Sequence, residues 1–321
     1  MHPFDYARPE SWDAATAALA GGDAAAMGGG TDLVPLMRDR LLAPARVVDL
    51  RGVSGGSGLN WDDRGTLTLG AATTLREIAS HARVRSDYAA LAQACEAVGS
   101  YALRNMGTLG GNLCQHVRCW YFRQGHTCLR TGGARCSAQH GENQYHAIFP
   151  QGPCVAVHPS DPAVALCTID ATAHLFGPEG ARSLPISALF ARSQQRLDGE
   201  TTLAPGELLT AVSIPEHSSG GVQFYEKVMQ RAAWDFALVS IAGARRRDGS
   251  VRLVLGGVAN TPWRVPESIE EDVASGGLSG DDIETLAQRA LYDAEPLAEN
   301  SYKLEIAGAL LRRAMAVLAT P

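Results

Sequence analysis

The sequence has no long apolar run and no excess of positive charge. Its 321 residues carry a formal net charge of −6, which disfavours nucleic acid and anionic membranes as partners, because both are bound through basic patches. No stretch approaches the roughly 20 apolar residues of a membrane helix, and residues 1–10 contain no apolar signal-peptide core. We therefore expect a cytoplasmic protein, or a periplasmic one exported with a partner that carries a twin-arginine signal.

Paired cysteines with the C-x2-C spacing are also absent, although the chain contains seven cysteines. Zinc ribbons use such pairs, so their absence makes zinc the weaker interpretation. A disulfide framework belongs to small secreted domains, which this chain does not resemble in length. Cys95 and Cys167 lie in apolar patterns and are expected to be buried core residues. The other five fall between Cys114 and Cys154, and this clustering indicates a metal or iron–sulfur site.

Composition and length indicate an ordinary globular protein with two or three packed units, since 45% of the residues are hydrophobic and 19% are charged. Hydrophobic patterning and capping residues predict helices and strands along most of the chain. The segment 115–152 has no periodicity, and irregular loops of such length are usually functional. Later segments with regular patterning are Cys154–His158, Ala163–Ala173 and Ala211–Ile214, then strands at Val222–Val228, Val239–Ala244 and Val251–Val258, and helices at Asp281–Tyr292 and Ser301–Leu318.

Two glycine-rich turns dominate the first half of the chain, at Met27–Leu33 (MGGGTDL) and Gly107–Leu113 (GTLGGNL). Glycine permits positive φ angles and lets a ligand approach the main chain, and successive amide groups at such a turn suit a pyrophosphate. The first turn lacks the GxGxxG spacing, so a nicotinamide-type Rossmann domain is not expected. From the residues alone, both phosphate binding and plain structural turns remain open.

Five ordered motifs carry a resemblance to a known family. They are MGGGTDL, RNMGTLGGNL, HPSDPAVAL, KVMQRAAWDFALVSIA and LGGVANTPWR, and together they resemble the FAD subunits of molybdenum hydroxylases such as xanthine dehydrogenases, carbon monoxide dehydrogenase and aldehyde oxidoreductases. The resemblance implies an α+β protein with a two-lobed FAD domain of the vanillyl-alcohol-oxidase type. It places lobe 1 at 1–55, lobe 2 at 56–217 with a cysteine-rich insertion at 114–156, and a C-terminal domain of three antiparallel strands and a helical bundle at 222–321.

The resemblance also implies a set of FAD-contacting residues. These are Met27, Gly28, Gly29, Gly30, Thr31, Asp32 and Leu33 in the first turn, Thr108, Gly110, Gly111 and Asn112 in the second, and Asp161, Leu208 (or Leu209) and Lys227. A lysine beside the flavin favours its anionic reduced form, and an aspartate accepts hydrogen bonds from cofactor hydroxyls. Without the resemblance, Asp161 would be interpreted as a helix cap and Lys227 as a solvated strand residue.

The cysteine-rich insertion departs from simpler members of that family. Cys119, Cys128, Cys136 and Cys154 have the spacing C-x8-C-x7-C-x17-C, and four thiolates in irregular loops suit a [4Fe–4S] cluster. The insertion is similar to that of the FAD subunits of periplasmic aldehyde oxidoreductase and 4-hydroxybenzoyl-CoA reductase, and RCWYFRQGHTC is more similar to the former. Cys114 is excluded because it follows the second glycine turn directly. The histidines His116, His126, His140 and His146 are not expected to be ligands.

The resemblance predicts an electron-transfer role. A molybdenum-cofactor large subunit would take electrons from an aldehyde. They would pass through [2Fe–2S] clusters on a small subunit to FAD on this chain, and then to oxygen, NAD, a quinone or a ferredoxin. Two alternatives remain: a subunit of an enzyme like xanthine dehydrogenase or 4-hydroxybenzoyl-CoA reductase, and a flavoprotein whose cysteine loop binds structural zinc for subunit contact. No Ser/His/Asp arrangement or P-loop is apparent, which disfavours a hydrolase.

Overall fold

The computed structural model describes residues 1–231 and 233–320. The architecture is α+β and contains three β-sheets, of three, five and four strands. Within the described residues, no helix combines the length and the apolar character needed to cross a membrane. The predicted C-terminal domain, 222–321, includes Ala232 and Pro321, which lie outside the described residues.

The first sheet is formed by the first fifty residues. Its elements are β1 (Asp5–Ala7), α1 (Trp12–Leu19), β2 (Ala24–Met27), α2 (Leu33–Arg38) and β3 (Arg46–Asp49). The three strands are parallel, with β3 between β1 and β2. Ser11 caps α1 by accepting a hydrogen bond from the Ala14 amide, a usual role of serine at a helix start. The first glycine turn therefore connects the carboxyl end of a strand to the start of a helix.

The second sheet is antiparallel and contains five strands in the order β4-β5-β8-β6-β7. Its elements are β4 (Leu59–Trp61), β5 (Leu67–Gly70), α3 (Leu75–Ser80), α4 (Ala82–Asp87), α5 (Ala89–Glu96), α6 (Tyr101–Met106), α7 (Leu109–Leu113), β6 (Thr172–Gly177), β7 (Gly180–Pro185) and β8 (Leu208–Ile214). The main core lies between this sheet and the helices, and Cys95 is fully buried in it. Cys167 packs against the same core, so the interpretation of both residues as core cysteines is confirmed.

The insertion contains little regular structure, as predicted. It holds a single α-helical turn, α8 (Trp120–Arg123), and short 3₁₀ turns at Leu129–Thr131 and Ser137–Gln139. The regular structure expected for Cys154–His158 was wrong, because these residues form neither a helix nor a strand. This segment's side chains are buried in alternation, and its hydrogen bonds run to Ala147 and Ala259 rather than to a sheet. The next helix is α9 (Asp161–Leu166).

The C-terminal region contains three long antiparallel strands, as predicted, and one two-residue strand at the sheet edge. Its elements are β9 (Val222–Val228), β10 (Val239–Arg245), β11 (Val251–Gly256), β12 (Trp263–Arg264), α10 (Glu267–Ser275), α11 (Gly280–Ala290) and α12 (Tyr302–Leu318). The helix α12 buries Ala307, Leu311, Ala314 and Leu318 along one face, which is the spacing of an amphipathic helix. Its packing on β10 forms a second core.

Candidate functional site

The two glycine turns lie directly against each other. A Cβ atom added to Gly28 would overlap the Thr108 hydroxyl, and one added to Gly29 would overlap the Met106 carbonyl oxygen. Only glycine permits backbones to approach this closely. The first turn comes from lobe 1 and the second from the region before the insertion, so their contact joins two distant parts of the chain.

The first turn presents unused amide groups. Within the part of the chain that the structure describes, the amides of Gly29, Gly30 and Thr31 donate to no protein acceptor. Gly30 has a φ angle of 73°, and successive amides around such a residue form a concave anion-binding surface. This arrangement fits the pyrophosphate of a dinucleotide.

A cleft of about 310 Å³ opens beside the two turns. Its walls contain residues predicted to contact FAD, and also residues of the loop between β9 and β10: Thr31, Asp32, Gly111, Asn112, Asp161, Lys227, Trp234 and Phe236. The side-chain orientation of Asn112 is fixed by Ser160, whose hydroxyl donates a hydrogen bond of 2.5 Å to Asn112 Oδ1.

Asp161 and Lys227 form a buried ion pair on the wall of this cleft. The Lys227 Nζ atom lies 2.8 Å from Asp161 Oδ2, and their side chains are 4% and 6% exposed. Tyr225 donates a hydrogen bond of 2.5 Å to the other carboxylate oxygen. Burial raises the pKa of Asp161, and Lys227 and Tyr225 oppose this shift. Neither residue has the solvated or purely capping role expected from the sequence without the resemblance.

A second cavity, of about 120 Å³, is also lined by Gly111. Gly28, Thr108 and Gly110 contribute to it, together with Leu208 and Leu209 at the start of β8. Both leucines are buried, and both line the cavity. The structure therefore does not distinguish Leu208 from Leu209 as the predicted FAD contact. The two cavities thus share the glycine turns as their common border.

The predicted FAD residues therefore gather in one region. Ten of the fourteen line one of the two cavities. The other four are Met27, Gly29, Gly30 and Leu33, which form the end of β2, the turn itself and the start of α2. Free amides, paired turns and two adjoining cavities fit a dinucleotide, and the individual FAD contacts stay a prediction.

Asp32 connects this region to the cysteine-rich insertion. One carboxylate oxygen lies 2.9 Å from Arg118 Nη2 and 2.8 Å from Arg123 Nη2, and the other accepts a 2.9 Å hydrogen bond from the His116 amide. Burial would raise the pKa of Asp32, but hydrogen bonding to His116 and the charges of Arg118 and Arg123 hold it well below its usual range. Burial lowers the pKa of Arg118 to about 10, which leaves it charged at neutral pH.

The four cysteines predicted as cluster ligands lie close to one another. The Cys136 and Cys154 thiols shift each other's pKa, that of Cys136 downward and that of Cys154 upward. Burial raises the pKa of Cys119, and the charges of Cys154 and Cys128 raise it further. Cys128 and Cys154 are buried, and Cys119 and Cys136 are partly buried. An apolar pocket that includes Leu36, Val117 and Phe122 surrounds Cys154 and Cys119.

Two of these sulfurs contact nitrogen-bearing side chains. His146 Nε2 lies 3.2 Å from Cys119 Sγ, and Arg130 Nε donates a hydrogen bond of 3.3 Å to Cys154 Sγ. Arg130 is in turn held by Glu200 through an ion pair of 2.7 Å, with both side chains almost fully buried. Hydrogen bonds to ligand sulfurs are a usual feature of iron–sulfur sites and tune their reduction potential.

The spacing of these groups differs from that of a single-ion site. Among residues 1–231 and 233–320, no three Cys, His, Asp or Glu side chains are placed to hold one metal ion.

Cys114 is separated from this group. It lines the smaller cavity beside Gly110 and Gly111 and packs against the main core. Burial raises the pKa of its thiol to about 12. This surrounding supports its exclusion from the ligand set.

Several residues of the site were not predicted from the sequence. Tyr225 could have been found, because it stands two positions from Lys227 on a strand and so shares its face. The contacts of Glu200 with Arg130 and of His146 with Cys119 could not be predicted from the sequence, because they join residues that are distant in the chain and lie in irregular loops. Arg118 directly precedes Cys119 in the sequence, and the structure places its side chain on the wall of the large cleft.

Comparisons with known proteins agree with this arrangement. Residues 2–217 match the family described as FAD binding domain in molybdopterin dehydrogenase, and residues 224–318 match the CO dehydrogenase flavoprotein C-terminal domain. The chain is 37% identical to the aldehyde oxidoreductase FAD-binding subunit PaoB of Escherichia coli over 98% of both chains. It is 29% identical to the carbon monoxide dehydrogenase medium chain of Afipia carboxidovorans over 97% of this chain and 95% of that protein.

Solved structures share the fold. The cyanide-inactivated Cu,Mo-CO dehydrogenase matches with a TM-score of 0.76 at 24% identity, covering 99% of both chains. The family matches and the relative at 37% identity establish that the chain belongs to the FAD-binding subunits of the molybdenum hydroxylase family.

Proposed function

We propose that this chain is the FAD- and [4Fe–4S]-carrying electron-transfer subunit of a molybdenum hydroxylase that oxidises aldehydes. The observation that supports the proposal is a cleft beside two glycine turns, together with four cysteines in one irregular insertion. The near full-length similarity to an aldehyde oxidoreductase FAD-binding subunit supports aldehydes as the substrate class.

The chain's residues have distinct tasks in this proposal. The amides of Gly29, Gly30 and Thr31 bind the pyrophosphate of FAD, and Asp161 accepts hydrogen bonds from its hydroxyl groups. Lys227 places positive charge beside the flavin, which favours its reduced anionic form. Bound FAD supplies the exchange between two-electron and one-electron chemistry. Cys119, Cys128, Cys136 and Cys154 hold the cluster.

The proposal includes partners and a division of the chain. A large subunit with the molybdenum cofactor would oxidise the substrate, and a small [2Fe–2S] subunit would pass electrons to this chain. FAD would be bound by lobes 1–55 and 56–217, with the cluster in the insertion 114–156 and the C-terminal domain at 222–321. The family membership supports this assignment, because relatives are named as subunits or medium chains.

The experiment is to purify the assembly through a tag on this chain and to identify what accompanies it. We expect a molybdenum-containing large subunit and a [2Fe–2S] small subunit. Adding an aldehyde without oxygen should then bleach the flavin absorbance, whereas xanthine, carbon monoxide and 4-hydroxybenzoyl-CoA should not. Bleaching by one of those three instead would contradict the proposed substrate class. A chain that purifies alone and without flavin would contradict the proposed role.

A further inference from the structure

Arg118 belongs to the cysteine-rich insertion but lines the large cleft. It directly precedes Cys119 in the chain, and its side chain forms part of the same wall as Asn112, Asp161 and Lys227. Its guanidinium carbon lies 4.7 Å from the centre of the Phe236 ring, a distance at which a cation is attracted to an aromatic face.

Two acceptors fix the position of this guanidinium. Arg118 Nη2 lies 2.9 Å from Asp32 Oδ1 and donates a 2.7 Å hydrogen bond to Gln115 Oε1. Its Nε atom is buried and has no hydrogen-bond partner among the described residues. A buried donor without a partner costs stability. The side chain as a whole is 25% exposed and lines the cleft, so a ligand there can contact it.

The charges around the cleft make this cation important for an anionic ligand. Three carboxylates line the cleft, those of Asp32, Asp161 and Asp235. Asp161 is paired with Lys227, and Asp235 is paired with Arg231 at 3.0 Å. Arg118 is the cation of the cleft wall that compensates Asp32. Arg123 also contacts Asp32 but does not line the cleft, so Arg118 is the arginine partner of Asp32 that is placed to contact an anionic ligand there.

We propose that Arg118 is an FAD-binding residue supplied by the cysteine-rich insertion, and that Asp32 is the residue that positions it. This inference rests on the proposed FAD role of the cleft. It implies that FAD affinity depends on the folded insertion, because Arg118 reaches the cleft only when the segment before Cys119 is in place. By linkage, FAD binding in turn stabilises the insertion.

The test compares variants of the full-length chain, prepared as apoflavoprotein and titrated with FAD by flavin fluorescence quenching. Arg118→Gln should weaken FAD binding about tenfold, the usual scale for a lost charged hydrogen bond. Arg123→Gln is the matched control, because Arg123 contacts the same Asp32 oxygen but does not line the cleft. It should bind FAD like the unaltered chain. Arg118→Lys should recover part of the affinity, since it keeps the charge but loses the planar fork.

Asp32 is tested by a double-mutant cycle. Asp32→Asn should weaken FAD binding, and Asp32→Asn combined with Arg118→Gln should bind no more weakly than Arg118→Gln alone, because both changes remove the same contact. Additive losses would contradict a positioning role for Asp32. Equal affinity of the Arg118→Gln and Arg123→Gln variants would overturn the proposal for Arg118. If the unaltered chain bound no FAD, the proposed function itself would fail, and this outcome is distinguishable from the other two.

Discussion

At the scale of single residues, the structure explains the site through pairs that the sequence does not reveal. Asp161 and Lys227 were predicted separately as FAD contacts, and the structure shows that they are also partners. The sequence indicates a charged residue at each position but cannot indicate their contact, because it depends on how β9 packs against α9. Sequence reasoning therefore supplied residue types, and tertiary packing supplied their partners.

Removing only one partner of the Asp161–Lys227 ion pair should destabilise the folded chain. Lys227→Met leaves the Asp161 carboxylate buried with only Tyr225 as a hydrogen-bond donor, and we expect a loss of about 3 kcal/mol in the free energy of unfolding. Lys227→Met combined with Asp161→Asn removes both charges and should recover most of that loss. Chemical denaturation of the FAD-free chain measures both. A double variant as unstable as the single variant would contradict this electrostatic explanation.

His146 should influence the electronic properties of the cluster. Its Nε2 atom lies 3.2 Å from Cys119 Sγ, and a donated hydrogen bond stabilises the more negative, reduced cluster. His146→Phe should therefore make the cluster's reduction potential more negative by roughly 40 mV, the one-electron equivalent of about 1 kcal/mol. Potentiometry monitored by electron paramagnetic resonance measures this. His126→Phe, an exposed site in the same insertion, is the control, and equal potentials in the two variants would refute the role of His146.

At the scale of secondary-structure elements, prediction succeeded where periodicity was regular. The strand Val222–Val228 was predicted with the observed bounds, and the helix at Ser301–Leu318 differs by one residue at its start. The short helix α10 was missed, and the segment Cys154–His158 was predicted as regular structure but forms none. This segment is buried against the C-terminal region instead of pairing in a sheet, so its apolar residues reflect tertiary contacts.

The start of α12 anchors the cysteine-rich insertion. Lys303 is fully buried, and its Nζ donates hydrogen bonds to the carbonyl oxygens of Tyr145, His146 and Gly257 at 2.8–3.1 Å. Asn300 donates to the His146 and Ala147 carbonyls. The segment beside His146 is therefore held by a helix more than 150 residues away in the chain.

Lys303→Met should loosen the insertion without removing FAD. The substitution removes the Lys303 donor from the Tyr145 and Gly257 carbonyls, and the His146 carbonyl keeps only Asn300. Because buried carbonyls without a donor cost stability, we expect a lower iron-to-flavin ratio and faster amide hydrogen exchange in residues 143–147. Arg313→Met is the matched control, since Arg313 lies on the same helix but forms only an exposed ion pair with Glu226. Unchanged exchange in the Lys303→Met variant would show that this anchor is not needed.

At the scale of the whole molecule, the ordered motifs predicted the family and the α+β fold, and the comparisons confirm both. The placement of the insertion between the cleft at the glycine turns and the C-terminal region could not be predicted, because it is set by contacts such as Asp32 with Arg118 and Lys303 with Tyr145. These contacts make the insertion part of the folded molecule, with one end at that cleft and the other at α12.

The most direct test is a cofactor count on the anaerobically purified chain, with FAD, iron, acid-labile sulfide and zinc measured per polypeptide. We predict one FAD and about four irons with matching sulfide. Cys136→Ser should lose the iron and retain the FAD, and Cys114→Ser should retain both. Zinc in place of iron, or iron that is lost from the Cys114→Ser variant and kept in the Cys136→Ser variant, would contradict the proposed cluster and its ligands. A chain without FAD would contradict the account at its centre.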